Sequence, residues 1–132
     1  MVRKVTELFQ TADWKKEKHV PVIDAPDVVK KGELVKVSLC VGKEIPHPNK
    51  TDHHIAWIKL AFWPEEGKFP CEIGMTEFDA HGASAQGPDT STIYTEPHAI
   101  FTFRTEKPGK LISTSYCNIH GFWKDEKKIQ VR

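Results

Sequence analysis

The stretch Leu34-Val35-Lys36-Val37-Ser38-Leu39-Cys40-Val41 decides the fold class. Val35, Val37, Leu39 and Val41 share one face, and Lys36, Ser38 and Cys40 share the other. Strict alternation is the period of a half-buried strand. Turn chemistry brackets the run, with Lys31-Gly32 before it and Pro46-His47-Pro48-Asn49 after it. Working outward, residues 55–63 are apolar on both faces but rich in strand-forming types. Ala56, Ile58, Leu60 and Phe62 are expected on one side. Phe69, Cys71 and Ile73 alternate with Pro70, Glu72 and Gly74, so Cys71 is predicted to pack with Phe69 and Ile73. Residues 99–105 and 110–117 are two more strands, and 128–131 a short last one. Short strands with a turn every ten or so residues predict an antiparallel β-sandwich. Residues 5–14 group Leu8, Phe9 and Ala12 and predict one or two short helical turns. Nine prolines and eight glycines argue against more helix.

The chain has 132 residues, which is expected to make a single domain, 1–132, with one core. Its formal charge of +1 gives no global pull toward nucleic acid or an anionic membrane. No apolar run approaches the ~20 residues of a spanning helix. The first ten residues carry no long apolar run and no cleavage signal, so the cytoplasm is the default location. Three well-separated cysteines, Cys40, Cys71 and Cys117, do not form a disulfide framework and suit a reducing compartment. Residues 78–95 form the longest stretch without a clear strand, and a loop of that length is usually functional or engaged in contacts.

Histidine is the unusual component, with seven in the chain. Cys117-Asn118-Ile119-His120 places a thiolate and an imidazole on one turn at a strand end, where both can reach one ion. The run from Pro46 to His54 carries His47 on a proline-stiffened loop and returns to His53 as a strand begins. Period-two counting puts His54 on the side of Ile58 and Leu60, so His53 is the ligand candidate and His54 is structural. His19 lies beside Glu17, which can reach a metal, and Lys18, which can attract an anion. His19, His47, His53, His120 and Cys117 exceed what a tetrahedral structural zinc site needs. Five donors point to a square-pyramidal shell with an open sixth position. Their softness admits iron, copper or zinc.

These segments resemble the superoxide reductase family. The strings are Glu17-Lys18-His19-Val20-Pro21, Val41-Gly42-Lys43-Glu44-Ile45-Pro46-His47-Pro48-Asn49 and His53-His54-Ile55. Ala80-His81-Gly82, Tyr94-Thr95-Glu96-Pro97 and Ser115-Tyr116-Cys117-Asn118-Ile119-His120-Gly121 follow in order. The set is most similar to the one-iron form, neelaredoxin. The two-iron desulfoferrodoxins carry an extra N-terminal domain with four cysteines, which is not expected here because no cysteine precedes Cys40. The resemblance implies an immunoglobulin-like antiparallel β-sandwich and one mononuclear non-haem iron. It implies equatorial His19, His47, His53 and His120, with an axial Cys117 thiolate. It implies Glu17 as the sixth ligand of the ferric state and Lys18 beside the open position. The implied reaction is one-electron reduction of superoxide to hydrogen peroxide, with an external donor such as rubredoxin, and the implied assembly is a tetramer. Lys50 departs from the small polar residue relatives often carry, and Cys40 and Cys71 lie outside the family site.

Two other classes compete. A cupredoxin-like electron-transfer protein needs two histidines and usually a weak axial methionine, but only Met1 and Met75 exist and neither follows His120. The second is a non-catalytic metal-binding or scaffold sandwich in which the histidines are structural. Of the remaining residues, His81 is expected to structure its loop and His98 to lie at the surface. Cys40 is expected to be exposed or at a subunit contact. Lys15, Lys16, Lys43 and Lys50 are candidates, beside Lys18, for a local positive field.

Overall fold

The computed structural model describes residues 3–132. Met1, one of the two methionines weighed above, lies outside the described residues. Two sheets face one another. The larger contains β1 (Phe9–Gln10), β5 (Ile55–Pro64), β6 (Cys71–Glu77), β8 (Gly109–Cys117) and β9 (Gly121–Val131), in the order β1-β9-β8-β5-β6. β3 (Val28–Val29) also pairs with β9. The smaller contains β2 (Pro21–Asp24), β4 (Leu34–Val41) and β7 (His98–Arg104), in the order β2-β4-β7. Pairing is antiparallel except for β1 and β3, which run parallel to β9 at its two ends.

The core lies between the sheets as the alternation of β4 requires. Val35, Val37, Leu39 and Val41 are buried and meet Ile55, Ile58, Leu60 and Phe62 of β5 and Leu111 of β8. Burying each such side chain is worth about 1.5–3 kcal/mol. The inward face of β8 changes character along its length, running Leu111, Ser113, Ser115, Cys117. Ser113 Oγ donates to Pro21 O at 2.7 Å and Ser115 Oγ to His19 O at 3.3 Å. These two buried hydroxyls satisfy carbonyls at the start of β2 and stitch one sheet to the other.

Four expectations change. The helical turns predicted over 5–14 reduce to one 3-10 turn, Val5–Glu7, after which Phe9 pairs with Phe122 of β9, their rings tilted at 49° with centroids 5.3 Å apart. An irregularity between Ile55 and Trp57 shifts the β5 register, so Ile55 is buried and Ala56 leaves the inward set. A second shift at Leu60/Ala61 leaves Ile73 unpaired opposite β5. Ile73 packs on the core, whereas Cys71 and Phe69 are exposed at the start of an edge strand, so the three do not pack together. The last strand is far longer than 128–131, because the alternating charged residues from Lys124 to Lys128 occupy the solvent face of β9.

Candidate metal centre

Five donor residues reach one end of the sandwich from both sheets. His19 lies two residues before β2 and His47 follows β4, both of the smaller sheet. His53 precedes β5, Cys117 ends β8 and His120 sits in the turn to β9, all of the larger. Two glycines make this possible. Gly42 has φ +83°, and a Cβ there would lie 2.7 Å from the His47 backbone nitrogen. Gly121 has φ +84° and closes the Cys117–His120 turn.

The donor atoms of His19, His53, Cys117 and His120 all lie within 4.8 Å of one another. His47 joins them, with Nε2 3.4 Å from Cys117 Sγ and its ring 4.8 and 4.7 Å from those of His19 and His53. Cys117 Sγ is also 3.7 Å from His120 Nδ1 and accepts the His120 backbone N–H at 3.4 Å. The centre grades outward from a fully buried thiol to an exposed His120, so one side is open to solvent.

Two of the rings, His47 and His19, are aimed by their second contacts. His47 Nδ1 donates to Pro48 O at 2.7 Å, which leaves Nε2 to face the centre. His19 Nδ1 pairs with Glu17 Oε1 at 2.5 Å, and its Nε2 lies 3.2 Å from His120 Nδ1. Trp123 stacks on the His19 ring at 4.9 Å and 13°, and its Nε1 donates to His120 O at 3.2 Å. Sequence reasoning missed Trp123. Its only signal is a position two residues past the Gly121 turn, at the start of the strand flanking the ligand-bearing turn.

His53 tests whether this set suits a cation. Its Nε2 is the one buried side-chain nitrogen or oxygen without a hydrogen-bond partner among the described residues. A buried orphan costs about 1–3 kcal/mol, and a metal ion among four imidazoles and a thiolate would satisfy it. The electrostatics agree. Burial holds the His47 ring down to about 4, with the charges of His19, His53 and Lys18 adding to it. Burial also lowers His53, as do His120, His19 and Lys18. Burial lowers His19 as well, partly offset by Glu17. The rings of His47, His53 and His19 are therefore neutral and able to ligate at pH 7.

Glu17 stands outside the donor group. Burial raises its pKa, but the His19 ring and the backbone N–H groups of His19 and Lys18 outweigh this and hold it below the ordinary carboxylate range. Lys18 is half-buried, and its charge reaches the rings of His19, His47 and His53. Lys15 and Lys43 both lie over the Trp14 ring, at 5.7 and 5.4 Å.

The other histidines and Cys40 are placed differently. His54 stacks on His81 at 3.6 Å and donates from Nδ1 to Lys50 O at 2.8 Å, in the loops and not in the core. His81 structures its loop as expected, with Nε2 on Phe78 O at 2.5 Å and Nδ1 3.2 Å from Asn49 Oδ1. His98 is exposed and contacts Ser38 Oγ. Cys40 is half-buried, and burial and Glu96 push its thiol up.

Fold and donor set together define a class of β-sandwich whose mixed imidazole–thiolate donors can hold a metal ion. The desulfoferrodoxin family profile matches residues 11–126, and the chain belongs to that family. It is 53% identical to the superoxide reductase of Pyrococcus furiosus over 96% of this chain and 99% of that one. It is 46% identical to the neelaredoxin of Megalodesulfovibrio gigas, covering 98% and 99%. The solved structure of reduced superoxide reductase (neelaredoxin) from Archaeoglobus fulgidus superposes with a TM-score of 0.87 at 60% identity, covering 94% of this chain and 99% of that one. No helix among the described residues is long and apolar enough to cross a membrane.

Proposed function

We propose that this chain is a superoxide reductase, a one-domain oxidoreductase that takes superoxide, one electron and two protons to hydrogen peroxide. The observation that carries the reading is the convergence of five donors, one of them the orphaned His53 Nε2, at a solvent-open end of the sandwich. His19, His47, His53, His120 and Cys117 hold one iron. Bound there, iron supplies reversible one-electron chemistry and a coordination position for a small oxidant.

The rest belongs to the protein. Lys18 places a positive charge at the mouth of the site and attracts the superoxide anion. The same ammonium orients water that delivers protons, so that peroxide leaves without cleavage of its O–O bond. The His120 backbone N–H on Cys117 Sγ stabilises thiolate charge and tunes the centre. Glu17 aims the His19 ring through Nδ1. To reach an iron held by the five donors, its carboxylate would have to leave that nitrogen. The electron comes from a small redox protein such as rubredoxin, and the working assembly is a homotetramer in the cytoplasm.

The test is iron quantitation on the purified chain, followed by superoxide consumption with peroxide and oxygen measured together. The expected result is about one iron per chain, one peroxide per superoxide and no oxygen evolved. Oxygen at half the superoxide consumed would mean dismutation. Protein that holds no iron and shows no redox chemistry when iron is supplied would end the reading.

A further inference from the structure

His53 is the ligand with the least support of its own, since its ring nitrogen Nε2 has no partner and its side chain is only half-buried. Its backbone is held from outside its own loop. Asn118 Oδ1 accepts the His54 N–H at 2.9 Å, and Asn118 Nδ2 donates to Asp52 O at 3.0 Å. The Asn118 backbone N–H donates to His54 O at 3.2 Å. One side-chain amide thus grips the chain immediately before and immediately after His53, from a residue covalently next to Cys117.

The amide has one possible orientation. Asp52 O can only accept, and the His54 N–H can only donate, so nitrogen and oxygen cannot exchange places. No other side chain does this at the same length. Asp lacks the donor and sets a charge against the Asp52 carbonyl, Leu lacks both functions, and Gln adds a methylene. The other ties act elsewhere: the reciprocal Lys50–His53 backbone pair is internal to the loop, Thr51 is held by Asp89 Oδ1, and β5 pairs with Cys117 only from Ile55, two residues past His53.

We infer that Asn118 is a positioning residue for the metal centre. It locks His53 in register with the Cys117–His120 turn, so that imidazole and thiolate meet one ion at a set spacing. This rests on the metal-centre reading above. Such outer contacts typically change metal affinity by about 10–100-fold.

The experiment loads the full chain with Co2+, whose ligand-field and thiolate charge-transfer bands report geometry directly. Asn118→Leu is compared with the unaltered chain for Co2+ affinity, for the spectrum of the loaded protein and for the melting temperature of the metal-free protein. The expected result is about tenfold weaker Co2+ binding together with displaced ligand-field bands. A loaded Asn118→Leu spectrum identical to that of the unaltered chain overturns the proposal, whatever the melting temperature does. Asn118→Ala is judged by the same spectrum if the Leu variant does not fold. Failure of both to fold with Co2+ present also overturns it, because Asn118 would then hold the fold and not the ligand. Absence of Co2+ uptake by the unaltered chain would instead sink the metal centre itself.

Discussion

His53 and His81 lie in neighbouring loops, yet their surroundings are opposite. Both ring nitrogens of His81 face oxygen atoms, those of Phe78 and Asn49, and its face is covered by His54. His53 has a buried nitrogen facing only other imidazoles and a thiol. Residue type does not separate ligand from strut here. What separates them is whether neighbouring oxygens, of backbone or side chain, have already used the ring nitrogens. His47 and His19 show the intermediate arrangement, with Nδ1 taken by Pro48 O or Glu17 and Nε2 left for the centre.

The largest expected effect comes from His53→Ala. Spreading the ~10–16 kcal/mol of a four-ligand site over its donors gives roughly 3–4 kcal/mol each. Metal affinity should therefore fall by roughly two to three orders of magnitude, as read by competition with a chelator. Retention of full affinity would erase the contrast with His81.

Acid sharpens the contrast next. The His47 pKa falls from 6.5 to about 4 in the folded chain, so the unfolded chain binds this proton first. The stabilisation is complete above pH 6.5 and disappears as pH falls toward 4. It amounts to at most about 3 kcal/mol at 1.36 kcal/mol per pH unit. The melting temperature of the metal-free protein should drop across that window, and His47→Gln should flatten the drop.

A smaller effect is expected of His81→Phe, which keeps a ring for His54 to stack on but removes the bonds to Phe78 and Asn49. Stability should fall by about 1 kcal/mol, with the metal spectrum unchanged. A displaced spectrum would make His81 part of the centre. The smallest effect concerns Lys18→Ala, which should slow the reaction with superoxide by a few-fold at low salt and less as salt screens the charge. Stopped-flow rates across an ionic-strength series check this, and an unchanged slope would remove Lys18 from steering.

Much of this was legible from residue order. The alternation of Leu34–Val41 reads directly as β4, and the sandwich follows from strands and turns. The donor residues are visible as spacings: Cys117 and His120 on one turn, His47 and His53 flanking a loop. What was not legible depends on registers and on contacts distant in sequence. Period-two counting fails at Ala56 and at Ile73, because a bulge inverts the facing of the side chains on one side of it relative to the other and leaves no mark in composition. His54 was therefore assigned to the side of Ile58, and Cys71 to the company of Ile73. Trp123 reads as a strand aromatic until the fold lays it on His19. The placement of Glu17 on His19 Nδ1 is likewise a matter of rotamer, which no spacing rule supplies.

The donors are divided between the layers, with His19 and His47 beside strands of the smaller sheet and His53, Cys117 and His120 beside strands of the larger. An ion gripped by all five is a rivet through both plates of the sandwich at the end where loops replace strands. Whatever binds the folded form alone stabilises it by mass action. Loading with iron should therefore slow amide exchange in both ligand loops together, so that the catalytic ion also sets how long this end of the molecule keeps its shape.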